Sequence, residues 1–457
     1  MKKRTEHRGK AGRTNQIDML QGPLMGKILM FALPLAASSI LQQLFNSADV
    51  AVVGRFAGSQ ALAAVGGNSS VISLLINLFV GLSVGANVVI ANYIGQRKTK
   101  EAGEAVHTVM ATALFSGVFL LILGSLAAKP ILQLMNTPSD VIELASLYLR
   151  IYFLGMPFLM VYNFGAAVLR SVGDTRRPLY CLILSGIVNV CLNLFFVVVC
   201  GMSVDGVGIA TVISNGISAG LVFYFLLNED DPIRLEIRKI RIKKVHLFRM
   251  IKIGVPAGLQ STVFSLSNVC IQTAINSFGS SAVAGSAAAV NFEYFTYYVV
   301  NSFSQAAVTF TSQNIGAKQY ERCKKVFRLC LGMGIVISGA MCTTFVLLRE
   351  IAVRFYTVDA AAIEYAVMRV RLVESLAFLP ATYEVAGAAL RGMGHSMLPA
   401  VLTVIGSCGF RIMWIYTVFR VKGTFESLMI VYPVTWILTG TMVVTAYLLI
   451  RRRMMSN

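Results

Sequence analysis

Apolar runs long enough to cross a bilayer, about 20 residues each, recur along the whole chain and are separated by short polar stretches. The pattern predicts spans at 27–54, 60–86, 103–128, 142–169, 178–200 and 205–228, then 249–278, 281–310, 326–348, 360–390, 397–420 and 426–450. Glycine and proline punctuate them, as is common in transmembrane helices. The first span is too long for a signal-peptide core and reads as a retained helix.

The two sets of six repeat. Leu169-Arg170 with Gly173 and Pro178 returns as Leu390-Arg391 with Gly394 and Pro399, and Ile94-Gly95 returns as Ile315-Gly316, all at an offset of 221. Pro34 and Asn46 return as Pro256 and Asn268, slipped by one. Six crossings bring each unit back to the side on which it began, so the repeat is parallel, about an axis along the membrane normal. The predicted fold is an all-α integral membrane protein with 12 transmembrane helices in two pseudo-symmetric six-helix bundles. The chain divides into a basic leader (1–26), an N-lobe (27–228), a linker (229–248), a C-lobe (249–450) and a tail (451–457).

Composition narrows the class. Of 457 residues, 56% are apolar and 13% charged, about half the 25% charge of a soluble protein. That excludes a soluble enzyme, a disordered chain and a secreted disulfide scaffold. The eight cysteines form no C-x-x-C pair and read as small buried hydrophobes. A net charge of +19 would suggest nucleic acid in a soluble protein, but its placement argues otherwise. With the N-terminus inside, 30 of the 40 Lys and Arg fall on inner segments and six on outer loops. This asymmetry puts both termini in the cytoplasm of a plasma-membrane protein and requires no nucleic-acid partner. The basic stretch Arg234 to Lys252 reads as a cytoplasmic surface facing lipid.

A doubled bundle in a membrane points to transport, because two similar lobes can rock around a site between them. A channel would show a concentrated filter or charged ring, and the chain has neither. It also lacks a zinc, nucleophile–base or phosphate-loop signature, so no enzyme activity and no cofactor is expected.

The sequence resembles the multidrug and toxic compound extrusion (MATE) family. The resemblance is carried by Pro34-Leu35, by Gln42-Gln43 through Asn46 to Asp49, by Gly54-Arg55, by Ile94-Gly95-Gln96 and by the Leu-Arg-x-x-Gly turns at 169 and 390. It covers roughly residues 20–450. It implies two lobes around a central cavity and export of organic, often cationic and lipophilic compounds, driven by entry of protons or sodium. A flippase or exporter of a lipid-linked or anionic metabolite on the same fold is the alternative. Partners are then a small organic substrate and the bilayer, with the protein a monomer.

Charged and amide side chains within spans mark candidate sites, since a central Asp or Arg costs about 2.5–3.5 kcal/mol to insert. Asp49 shares a helical stripe with Ser39, Gln42 and Asn46. In the resembled family the matching aspartate is a principal ion-coupling residue. Asn189 and Asn193, one turn apart on the fifth span, fall at a depth to face it. Some family members carry an aspartate at the position of Asn193; here Asp49 supplies the only charge, and the amides add neutral oxygens for a proton or sodium site.

In the second half, Glu293 with Tyr294 and Tyr298 suits a lipophilic cation through charge and ring faces, and Asn268 and Gln272 join it as substrate-binding candidates. Glu374 is expected in a structural ion pair with Arg371 or Arg411. Family members with a sodium site in this lobe use carboxylates on the seventh and tenth spans. The seventh span here has none, so that site is not expected, and no metal is expected other than sodium near Asp49. Pro34 and Pro256 each remove a helix hydrogen bond and are candidate hinges.

Overall fold

The computed structural model describes residues 16–134, 137, 139, 141–230, 232–357 and 359–456. Residues 1–15 of the expected leader lie outside the described residues. The first repeat consists of α1 (Leu24–Phe56), α2 (Ser59–Gly95), α3 (Thr99–Leu134), α4 (Ile142–Leu154), α5 (Met156–Ser171), α6 (Arg176–Leu194) and α7 (Val204–Leu227). The second consists of α8 (Lys244–Asn276), α9 (Ser280–Gly316), α10 (Tyr320–Leu347), α11 (Arg349–Arg354), α12 (Ala360–Leu372), α13 (Pro380–Gly392), α14 (Met397–Thr403), α15 (Phe410–Trp414), α16 (Arg420–Lys422), α17 (Phe425–Met429) and α18 (Val431–Ser456).

These helices make up the twelve expected spans. The fourth is the pair α4 and α5, bent by 47°. The tenth is α12 and α13, broken by a 3-10 turn at Glu374–Leu376. The eleventh is α14 to α16, joined by π turns at Val404–Gly409 and Ile415–Phe419. Among the described residues eight helices are long and apolar enough to cross a membrane by themselves, nine with the bent pair. The others, α8, α9 and the broken α12–α13, are diluted by polar residues, and the same elements supply much of an internal cavity wall.

The backbone repeats as the sequence does. Positive φ angles occur in pairs: Gly58 at 90° with Gly279 at 91°, Gly173 at 90° with Gly394 at 89°, and Arg97 with Lys318, both at 58°. The last pair matters most, because a side chain rarely adopts that region. Each turn after α2 and α9 holds the same strained residue at the same place.

The lobes are closely packed at the end of the bundle that carries the linker. A Cβ on Gly95 would lie 2.0 Å from the Gln313 carbonyl oxygen, and one on Gly316 would lie 2.2 Å from that of Asn92. Further along, Gly81 and Gly85 of α2 meet Gly254 and Gly258 of α8 backbone to backbone, with a Gly81 Cβ 2.3 Å from the Gly258 nitrogen. Toward the other end the facing polar residues are open: Gln42 and Asn46 on α1, and Asn268, Gln272 and Asn276 on α8, are all exposed.

Candidate transport site

In the N-lobe, α1 packs on α6 through Gly186, whose missing side chain admits the Phe45 ring; a Cβ there would lie 1.9 Å from the ring edge. That close approach sets Asp49, one turn beyond Phe45, opposite Asn193. The Asn193 amide donates to the Asp49 carboxylate and also reaches Asn189 Oδ1 at 3.3 Å. Asn189 in turn donates to Ser214 Oγ on α7 at 3.4 Å. Asn189 and Asn193 are buried and Asp49 half-buried. Among the described residues no Lys or Arg pairs with Asp49, and Arg55 is exposed. The carboxylate is thus held by one neutral amide, that of Asn193. Gln42 and Asn46 share the α1 face but form no hydrogen bond with Asp49.

In the C-lobe, a cavity of about 460 Å³ is lined by Asn268, Gln272, Glu293, Tyr294, Arg369 and Arg411, among others. One expectation, that for Glu374, needs correction here. Glu293 is not a free carboxylate: Arg369 grips both its oxygens, at 2.6 and 3.0 Å. A buried acid on α9 and a buried base on α12 face each other, and pairing removes the cost of leaving either charge alone. Glu374 pairs with neither Arg371 nor Arg411. Its carboxylate accepts from Thr296 Oγ1 at 2.5 Å, and its other oxygen has no partner among the described residues. The physical reason is the 3-10 turn at Glu374, which ends the helical register that would have set it over Arg371, itself exposed. Arg411 is buried, donates to Asn268 Oδ1 at 3.1 Å and lies 4.8 Å from the Phe264 ring centre and 4.7 Å from that of Tyr432. Tyr298 does not line the cavity; its hydroxyl donates to Gln43 Oε1 of α1 at 2.9 Å, across the lobes. The expected hinges, Pro34 and Pro256, lie inside helices that continue unbroken past them.

The family model for MatE matches residues 34–195 and again 256–417, one match per repeat. The chain belongs to the MATE family of multidrug efflux transporters. It is similar to the "Probable multidrug resistance protein YoeA" of Bacillus subtilis (strain 168), 28% identical with 84% of each chain covered. It is also similar to the FAD transporter of Shewanella oneidensis (strain ATCC 700550 / JCM 31522 / CIP 106686 / LMG 19005 / NCIMB 14063 / MR-1), 24% identical, with 76% of this chain and 77% of that one covered. In fold it matches a structure described as the outward-facing conformation of a multidrug resistance MATE family transporter, with a TM-score of 0.91 at 20% identity and 97% and 99% coverage. The protein is therefore a multi-span membrane transporter and not an enzyme.

Within this MATE transporter, sequence reasoning missed the partners rather than the charges. Arg369 falls within the tenth expected span, 360–390, but its distance of 76 positions from Glu293 leaves no local signal. The cross-lobe contacts Asn77–Ser265 at 3.2 Å and Asn87–Thr309 at 2.9 Å were missed too. For Asn87 and Thr309, 222 positions apart, a polar residue on α2 about one repeat away from a polar residue on α9 was the available clue.

Proposed function

We propose that this transporter exports organic, often cationic and lipophilic compounds in exchange for protons or sodium, by alternating access of its two lobes. It does so from the plasma membrane, as a monomer with both termini in the cytoplasm, and its division into leader, lobes, linker and tail follows the repeat. The observation that carries the reading is Asp49: an acid in a membrane helix, held by Asn193, which also reaches Asn189, with no cationic partner among the described residues. Such a group takes up a proton or binds sodium when it faces one side, and gives it up when its surroundings change. The substrate is assigned to the C-lobe cavity, where Asn268, Gln272 and Tyr294 form the wall and a cationic cargo competes with Arg369 for Glu293. Tyr298 and Gln43 then join the two lobes beside that cavity, and Gln42 and Asn46 form the wet face of α1.

One observation favours the second reading, export of an anionic or lipid-linked metabolite. Arg411 lines the cavity and has no acidic partner among the described residues, while Glu293 is already neutralised. The relative that carries FAD moves an anionic cargo, which fits that reading.

The test is flux in proteoliposomes under separately imposed proton and sodium gradients, with a fluorescent organic cation and an aromatic anion as cargo. Native protein is expected to move the cation under one gradient, and Asp49→Asn to lose gradient-driven flux while still binding cargo. Equal pumping by both proteins overturns the coupling role of Asp49. Flux of the anion alone selects the second reading.

A further inference from the structure

The linker between the lobes lies across the start of α3 and borders a second, partly open pocket of about 460 Å³, at the opposite end of the molecule from the open polar faces. Its wall is formed by Lys100, Glu104 and His107 of α3 and by Arg234, Glu236, Lys239, Arg241 and Lys243 of the linker. The linker is pinned in place. Ile233 and Leu235 are buried anchors. The Glu236 backbone N–H donates to His107 Nε2 at 3.1 Å, and the Lys243 N–H donates to Thr108 Oγ1 at 3.2 Å. Thr108 Oγ1 lies 3.0 Å from the Glu104 carbonyl and 3.3 Å from that of Arg241, either of which can accept its single hydrogen. His107 Nδ1 lies 2.5 Å from the Gly103 carbonyl and must donate to it.

The charges around this cavity do not balance. Lys239 is paired with Glu236 at 2.7 Å and Lys243 with Glu104 at 2.6 Å. Lys100, Arg234 and Arg241 have no acidic partner among the described residues. Three exposed cations in excess around one open pocket repel one another. Arginine forks bind phosphate oxygens two at a time, and lysine adds a point charge. A volume of this size is within the range of ligand sites.

We propose that this cavity binds a phosphate-bearing anion, gripped by Arg234 and Arg241 from the linker and Lys100 from α3, and that its occupancy fastens the interlobe linker to the N-lobe. The ligand chemistry is shared by an anionic phospholipid headgroup and a free phosphate compound.

Two arms separate the sources, both using the full chain. Calorimetric titration of the detergent-purified protein with inorganic pyrophosphate reads a free anion. Native mass spectrometry of protein from nanodiscs of phosphatidylglycerol or of phosphatidylcholine reads a retained lipid. Saturable binding is expected in at least one arm. The double variant Arg234→Gln/Arg241→Gln is expected to weaken it by about tenfold or more, and Arg238→Gln, which removes one charge from the same linker outside the cavity, to leave it unchanged. Size-exclusion profiles and unfolding temperatures establish that the variants fold. Absence of saturable binding in both arms, or equal weakening by Arg238→Gln, overturns the proposal.

Discussion

At the residue scale, charges in this molecule are defined by their neighbours. Arg369 and Glu293 satisfy each other on both oxygens, with side chains only 4% and 17% exposed. Removing one partner leaves a buried charge uncompensated, which costs about 3–5 kcal/mol. Arg369→Ala is therefore expected to lower the unfolding temperature sharply in detergent, and Glu293→Gln/Arg369→Gln to recover most of the loss. Equal destabilisation by the double variant would show that packing, not pairing, dominates. Asp49 is the opposite case, an acid with amide partners only. Asn193→Ala leaves the carboxylate without its donor and is expected to destabilise by about 1–3 kcal/mol, measurable by the same unfolding assay, whereas Asn193→Asp is expected to shift the pH profile of transport.

At the element scale, the seam between α2 and α8 depends on four glycines. Gly81, Gly85, Gly254 and Gly258 let two backbones touch, and a methyl group at any of them meets backbone that cannot rotate away. The pseudo-symmetric seam between α1 and α9 has Ala32, Ala36, Ser302 and Ala306 at the corresponding positions, so side-chain atoms separate those two backbones. Gly258→Ala is expected to cost about 1–3 kcal/mol and to widen the α2–α8 distance read by spin-label spectroscopy. Gly339→Ala, on α10 with open space around it, is the neutral control; an equal effect of both would contradict the seam. Pro34 lies within an unbroken α1, where Ser38 Oγ donates to the Pro34 carbonyl at 2.8 Å. Pro34→Ala is expected to retain folding and substrate binding yet lose turnover; unaltered turnover would count against a hinge.

At the scale of the whole molecule, the two lobes are closed at the linker end and open at the other. Gln260 is 7% exposed on the closed half of α8, and Gln272 is exposed on the open half. A membrane-impermeant thiol reagent is therefore expected to label Gln272→Cys much faster than Gln260→Cys in a background lacking the exposed Cys191 and Cys200. Equal rates would indicate that the conformation described here is not the resting one. The asymmetry suits alternating access, since a seam that opens at one end must close at the other.

The amino-acid pattern alone determined the twelve spans and their doubling at an offset of 221, because lipid imposes its demands residue by residue and in order along the chain, and the family was legible as a resemblance of motifs. It also singled out Asp49, whose charge in an apolar run needs no partner to be noticed. It could not determine where Glu293 and Glu374 point. Helical spacing predicted an Arg371 contact for Glu374, but a 3-10 turn ended the register, and Glu293 found its arginine on a helix 76 positions away. Pairing across helices depends on how the bundle packs, and so do the glycine seam, the Asp49–Asn193 contact and the basic cavity under the linker. Those features exist only once distant segments share one surface, and no local periodicity encodes them.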